Sequence, residues 1–323
     1  MNLARLFLAV AAFILPFCAA MAQAPTTARI LVGYPPGGAV DTLARVFAEK
    51  LAEAIGRPVV VETRAGASGQ IAAMALKAAA PDGNTLMVVP EAVIVLSPHT
   101  VKTPLAYDTL NDFVPVAYIG GFDYGLAAGA KIPANDLKEW VGWTRADRKN
   151  ATYGSAGAGT TPHFLGLMFA QASGVQLVHV PYRGVGPAIA DLLGGQIPAV
   201  MLPFAQMLPL VKAGKIRILA HSGGRRSSVA PEIPTFKELG YPTLEVSGWY
   251  GIMAPAGIRP DLLARYNDII IQAMRTPGVR ERMRALDLEI REMAPAEFAA
   301  MIKAQYDRWG PIVKASGFSA DSQ

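Results

Sequence analysis

Short apolar runs alternate along this chain with longer stretches in which apolar residues recur every three or four positions. Residues 29–32 read as a strand. Val40, Leu43, Phe47, Leu51 and Ile55 follow at the spacing of one face of an amphipathic helix. Gly56-Arg-Pro58 ends that helix, and Val59, Val60 and Val61 begin the next strand. Ser68 is placed to cap a helix running through Ala80, with Ile71, Met74 and Ala78 on its buried face. Pro81-Asp-Gly83 reads as a turn and residues 85–89 as a third strand. This order predicts an α/β unit with a parallel sheet covered by helices.

The pattern then restarts. Strands are expected at 152–153, 177–180, 199–202 and 217–220, with helices at 163–172, 186–193 and 206–213 between them. The tail beyond 262 reads as mostly helical, with Leu262, Leu263, Tyr266, Ile269 and Ile270 on one face. Residues 249–253 read as a strand returning to the first half. We therefore expect two similar α/β domains, each a mainly parallel sheet flanked by helices, with a ligand cleft between them. The expected division is 23–122 plus 248–323 for domain 1 and 123–247 for domain 2. Two crossing segments, near 120–125 and 244–249, would form a hinge.

A length of 323 residues suits two domains. Residues 1–22 read as a secretion signal: Arg5 supplies the charge, residues 6–17 the apolar core, and Ala20-Met-Ala22 the cleavage motif. The expected location is periplasmic. Cys18 is the only cysteine and lies in that leader, so the mature chain would have no thiol for a disulfide, a metal or catalysis. The net charge is +5, and the basic residues are scattered rather than gathered in a stripe, which argues against nucleic acid.

Two glycine-rich loops carry the chemistry, Gly33-Tyr-Pro-Pro-Gly-Gly38 and Gly154-Ser-Ala-Gly-Ala-Gly-Thr-Thr161. Each follows a short strand and opens a helix, so each points free backbone N–H groups and the positive end of a helix dipole outward. Both read as cradles for an anion such as a carboxylate. Asp41, in the first helical turn, reads as holding the first loop rather than facing an anion. In the second loop Ser155, Thr160 and Thr161 offer hydroxyls either to a ligand or to the helix end, and His163 sits just inside the helix. Arg183 follows a strand end at the cleft rim, where it pairs with a ligand or holds its loop. Glu91 directly follows the third strand; facing the cleft it would suit a ligand with an amine or ring nitrogen, and otherwise it pairs with a neighbour.

Enzyme readings find less support. Gly154-Ser155 lacks the preceding glycine of a nucleophile elbow, because Tyr153 holds that position. The four histidines show no metal-ligand spacing, and neither a P-loop nor a dinucleotide fingerprint is present. No metal and no cofactor are expected. The rival is an exported hydrolase or lyase acting on a carboxylated substrate through Ser155 and His163.

Eight blocks in order resemble the tripartite tricarboxylate transporter receptor family, the Bug-type extracytoplasmic solute receptors. They include Tyr34-Pro-Pro-Gly-Gly-Ala-Val-Asp-Thr-Leu-Ala-Arg45, Ala80-Pro-Asp-Gly-Asn-Thr-Leu86, Tyr153-Gly-Ser-Ala-Gly-Ala-Gly-Thr-Thr-Pro-His163 and Val180-Pro-Tyr-Arg-Gly-Val-Gly-Pro-Ala188. The resemblance implies a two-domain periplasmic binding protein of type II-like fold, monomeric, that closes on a small carboxylate. It assigns ligand contacts to Tyr34, Gly37, Gly38, Ser155, Gly159, Thr160 and Thr161. It also implies, for some members, delivery to a two-subunit integral-membrane transporter or a sensor protein. The chain departs from the family pattern at Pro198 and Pro203, where acidic residues are usual, and at Pro90-Glu91-Ala92, usually small and polar.

Overall fold

The computed structural model describes residues 27–101 and 105–319; the expected leader and Cys18 lie outside the described residues. The first unit is built as its periodicity requires. Strand β1 (Ala28–Val32) pairs in parallel with β2 (Val59–Thr63) and with β3 (Thr85–Pro90). Helix α1 (Ala39–Ile55) connects the first two and buries Val40, Leu43, Phe47 and Leu51; Gly56 ends it in the left-handed conformation at φ 69°.

The second connection differs from expectation. Ser68 does not cap a helix: it lies at φ 52° in a left-handed turn over 67–69, and helix α2 runs only from Gln70 to Lys77. Its buried face is Ala72, Ala73 and Leu76, while Ile71, Met74 and Ala78 are exposed. Both sets of residues have helical spacing, so periodicity alone could not choose between them. Close approach decides: a Cβ on Gly33 would lie 2.7 Å from the Gly69 Cα, and a helix held that near the sheet turns its small residues inward.

Residues 90–151 showed no periodic element, and they contain the longest strand. Strand β4 (Phe113–Gly129) spans 17 residues. Helix α3 (Leu137–Ala146) follows, capped by the Asp136 carboxylate, which accepts from the Glu139 N–H at 2.8 Å. The second unit then runs β5 (Thr152–Ser155), α4 (Thr161–Ser173), β6 (Val178–Pro181), α5 (Val185–Gly194), β7 (Ala199–Pro203), α6 (Phe204–Lys212) and β8 (Ile216–His221). Strand β9 (Ser247–Pro255) returns to the first unit, followed by α7 (Pro260–Arg275), α8 (Pro277–Ala285) and α9 (Pro295–Ser316).

All strands join one curled mixed sheet in the order β2-β1-β3-β9-β4-β7-β5-β6, with β8 also on β4. The outer strands are parallel within each unit. Between them lie antiparallel β9 and β4. Residues 113–123 of β4 pair with β9, and residues 124–129 pair with β7 and β8. One strand thus serves both halves of a two-domain α/β fold. A large apolar cluster fills the first half and runs across β4, and a smaller one lies under β7, α5 and α6.

Candidate functional site

The carboxyl ends of β1, β3, β5, β6 and β7 all open onto one cavity of about 430 Å³. That is where ligands bind in open α/β sheets, and the size suits a small molecule.

The first loop leaves β1 and turns at Gly37, whose φ of 91° favours glycine. Asp41 has the structural role expected of it. Its Oδ2 accepts the Gly37 N–H at 3.1 Å and the Arg45 Nε–H at 2.9 Å. The Arg45 hydrogen bond holds the Asp41 carboxyl below the usual carboxylate range. Helix α1 then begins after Gly38 with no side-chain cap, leaving its first N–H groups facing the cavity.

The second loop is tied together by its own hydroxyls. Ser155 Oγ donates to the Gly157 carbonyl at 3.0 Å, and Thr160 Oγ1 donates to the same carbonyl at 2.7 Å. Neither Thr160 nor Thr161 caps α4, which also starts without a side-chain cap. Thr161 instead donates to Glu91 Oε1. A third helix end joins these two: α5 follows Gly184, at φ 109°, again uncapped. Its approach is fixed by the Tyr182 and Gly184 N–H groups, which donate to the carbonyls of Ser155 and Ala156 at 2.9 and 3.0 Å. Periodicity missed this third end as a site, although Val180-Pro-Tyr-Arg-Gly184 carries the same strand, glycine, helix signature.

Six of the ten residues expected from sequence to bind the ligand line the cavity: Tyr34, Gly37, Gly38, Glu91, Thr160 and Arg183. Arg183 is exposed there and makes no hydrogen bond or ion pair among the described residues. Glu91 lies at the floor, 1% exposed. Its Oε1 accepts from Tyr124 Oη at 2.6 Å and from Thr161, and its Oε2 from the Trp249 N–H at 3.4 Å. Burial raises its pKa against the pull of those hydrogen bonds. Ser155, Gly159 and Thr161 of the second loop, and His163 just beyond it, do not line the cavity. Pro203, marked in the sequence as a departure from the family pattern, lies on the floor, but sequence reasoning did not find its neighbours there: Phe122 and Tyr250, stacked at 4.3 Å and 18°, with Tyr124 and Gln206. Pro198 is not beside Pro203 but at the opposite end of β7, in a separate surface pocket with Lys215.

The Ser155–His163 pair required by the enzyme reading does not form. Ser155 Oγ lies 2.7 Å from His179 Nε2, and His163 Nδ1 accepts the Gly159 N–H at 3.2 Å. The two imidazoles stack at 4.0 Å and 15°. Burial lowers their pKa values to about 4 for His163 and about 3 for His179, so both are neutral at pH 7. Ser155 is fully buried, which shuts its hydroxyl away from any substrate in the cavity. Among the described residues no three acidic, histidine or cysteine side chains are placed to hold a metal ion, and no helix is long and apolar enough to cross a membrane.

Known proteins are similar in sequence and fold. A family model described as tripartite tricarboxylate transporter family receptor matches residues 43–318. The protein BugT of Bordetella pertussis (strain Tohama I) is 31% identical, over 98% of this chain and 99% of its own. MatC of Rhodopseudomonas palustris, solved with bound malate, superposes with a TM-score of 0.82 at 29% identity, over 90% of this chain and 100% of its own. A second R. palustris protein, Rpa4515, solved with adipate, gives 0.85 at 27% identity, over 92% and 99%. With its fold, its loops and these relatives in agreement, the chain belongs to the tripartite tricarboxylate transporter receptor family of solute-binding proteins.

Proposed function

We propose that this protein is a non-catalytic periplasmic receptor, exported through residues 1–22, that closes on a small carboxylate. The observation that carries the reading is the meeting of three uncapped helix N-termini and the unpaired Arg183 at one cavity. A charge-assisted hydrogen bond contributes about 1.5–3 kcal/mol, so a few of them suffice for micromolar binding, about −8 kcal/mol. The malate and adipate bound by the two R. palustris relatives support the same ligand class. We assign the carboxylate to the 37–40 and 160–162 loop ends, to the start of α5 and to Arg183. Gly159, Ser155, Thr161 and His163 hold the second loop in shape without lining the cavity. The closing bodies are residues 23–122 with 248–323, and residues 123–247. The partner that would read the closed form is a two-subunit membrane transporter or a sensor.

Gly38 and Gly186 provide the test. A Cβ at either position meets nothing within 4 Å, so valine is accepted by the fold and fills the cavity instead. In a thermal-shift screen of ligand-stripped protein against carboxylates, ligand at a hundred times its Kd stabilises wild type by about 2.7 kcal/mol. Gly38→Val and Gly186→Val should keep the unliganded midpoint and lose at least tenfold in affinity. Full-affinity binding by both variants would place the ligand elsewhere.

A further inference from the structure

The donors of the cavity are distributed unevenly. The loop side offers backbone N–H groups at the starts of α1, α4 and α5, and the Arg183 guanidinium. The floor has little left to donate. Tyr34 Oη already donates to the Ser68 carbonyl at 2.9 Å, and Tyr124 Oη to Glu91 at 2.6 Å. The Tyr250 hydroxyl, beside Gln206 on the cavity wall, has no hydrogen-bond acceptor among the described residues. Apart from that hydroxyl, what these side chains present to the cavity is ring surface, extended by Phe122, Pro90 and Pro203. A carboxylate held by the loops has its charge met. A second carboxylate reaching the floor would find only the Tyr250 hydroxyl and the Gln206 amide, and would lie against the buried carboxyl of Glu91.

An ammonium group at the floor fares little better. Glu91 is 1% exposed and already accepts from Tyr124, Thr161 and Trp249, so a cation there would shed its water for aromatic and proline surface.

We propose that the ligand is a monocarboxylate whose body is uncharged and apolar or aromatic, and that Glu91 is the residue that excludes dicarboxylates. This rests on the receptor reading above and narrows it. The carboxylate sits at the three helix ends, and the body lies on Phe122 and Tyr250.

Three six-carbon acids differing only at the far end test the proposal: hexanoate, adipate and 6-aminohexanoate. Titration calorimetry of ligand-stripped wild type at neutral pH should show hexanoate binding at least tenfold tighter than either of the others. Benzoate should exceed terephthalate by a similar factor. Glu91→Gln should bring adipate at least fivefold closer to hexanoate. Should that variant not fold, monomethyl adipate carries the same test in wild type, where it should recover the affinity of hexanoate.

Adipate binding as tightly as hexanoate, or tighter, overturns the ligand class and leaves the receptor intact. Tighter binding of 6-aminohexanoate overturns it in favour of a cationic far end. Monomethyl adipate as weak as adipate, or a Glu91→Gln variant that rejects adipate as wild type does, removes Glu91 from the discrimination. If none of these acids, benzoate and terephthalate included, binds at all, the carboxylate receptor reading itself fails and this proposal with it.

Discussion

His163 and His179 behave as structural groups whose neutrality the second loop depends on. His163 must keep a lone pair on Nδ1 to accept the Gly159 N–H, and protonation would turn that acceptor into a donor. In the unfolded chain both rings titrate near the ordinary value of about 6.5. In the fold they titrate near 4 and 3. Between those values the unfolded state binds more protons, so stability rises with pH. Their contribution is complete above about pH 6.5 and is lost as pH falls toward 4. Buried Glu91, with its raised pKa, has the opposite slope above the ordinary carboxylate value, and its effect cancels when wild type is compared with a histidine variant. From pH 7 to 4.5, wild type should lose about 2 kcal/mol more than His163→Asn, whose amide oxygen can still accept from Gly159. Urea midpoints across that range check this, and parallel curves for the two proteins would refute it. Residues whose role is local were legible before the fold was known. Asp41 is one: a carboxylate in a first helical turn, four residues from the amide it accepts, announces itself. His179 was not legible, because nothing near it in sequence marks it. Its partners Ser155 and His163 lie 24 and 16 positions away, joined only when β5, β6 and α4 pack together. Glu91 was readable as cleft-facing, but its bond to Thr161, 70 residues on, was not.

Strand β4 shows what a pattern of hydrophobic and polar positions cannot deliver at the scale of an element. It is buried almost throughout, so no period of two survives. It also carries Pro115, Gly120, Gly121 and Gly125, and its register against β9 shifts between 115 and 117 and between 118 and 120. Each of these features argues against a strand when read singly. The short parallel strands had glycine loops and amphipathic helices on either side to define them, and β4 had neither. Its crossing with β9 is tight. Ser247 Oγ donates to Asp123 Oδ1 at 2.8 Å, and a Cβ on Gly248 would lie 2.6 Å from the Tyr124 hydroxyl and 2.7 Å from Phe122 Cζ. Both neighbours are buried and belong to the cavity floor, so they have little room to yield. Gly248→Ala is therefore expected to cost about 1–3 kcal/mol, as overpacking does, and to push Tyr124 off Glu91. A lowered urea midpoint together with weakened ligand binding would show both effects. An unchanged midpoint would mean that the crossing strands are softer than their packing implies.

At the scale of the whole molecule, the two halves touch at points outside the cavity lining. Ser68 Oγ donates to the Ala158 carbonyl at 3.3 Å, joining the turn after β2 to the second loop. Phe318, just beyond the end of α9, meets the rings of His163 at 4.6 Å and Phe164 at 5.7 Å, both edge-on. Helix α9 packs mainly on β4 and the turn at 92–96, and Phe318 adds to Trp309, whose ring lies 6.1 Å from Phe164, in reaching across to α4. If closure brings the three helix ends onto one carboxylate, such contacts set how often the unliganded protein is closed. The apparent Kd is the intrinsic one divided by that fraction. Phe318 is not part of the cavity wall. Phe318→Ala should therefore weaken binding by about three- to tenfold, up to roughly 1.4 kcal/mol, through the closed population alone. The radius of gyration of the unliganded variant should exceed that of wild type in small-angle scattering, and saturating ligand should restore a common value. A variant that loses stability yet binds with wild-type affinity would reduce Phe318 to packing, and would leave closure governed by the two crossing strands.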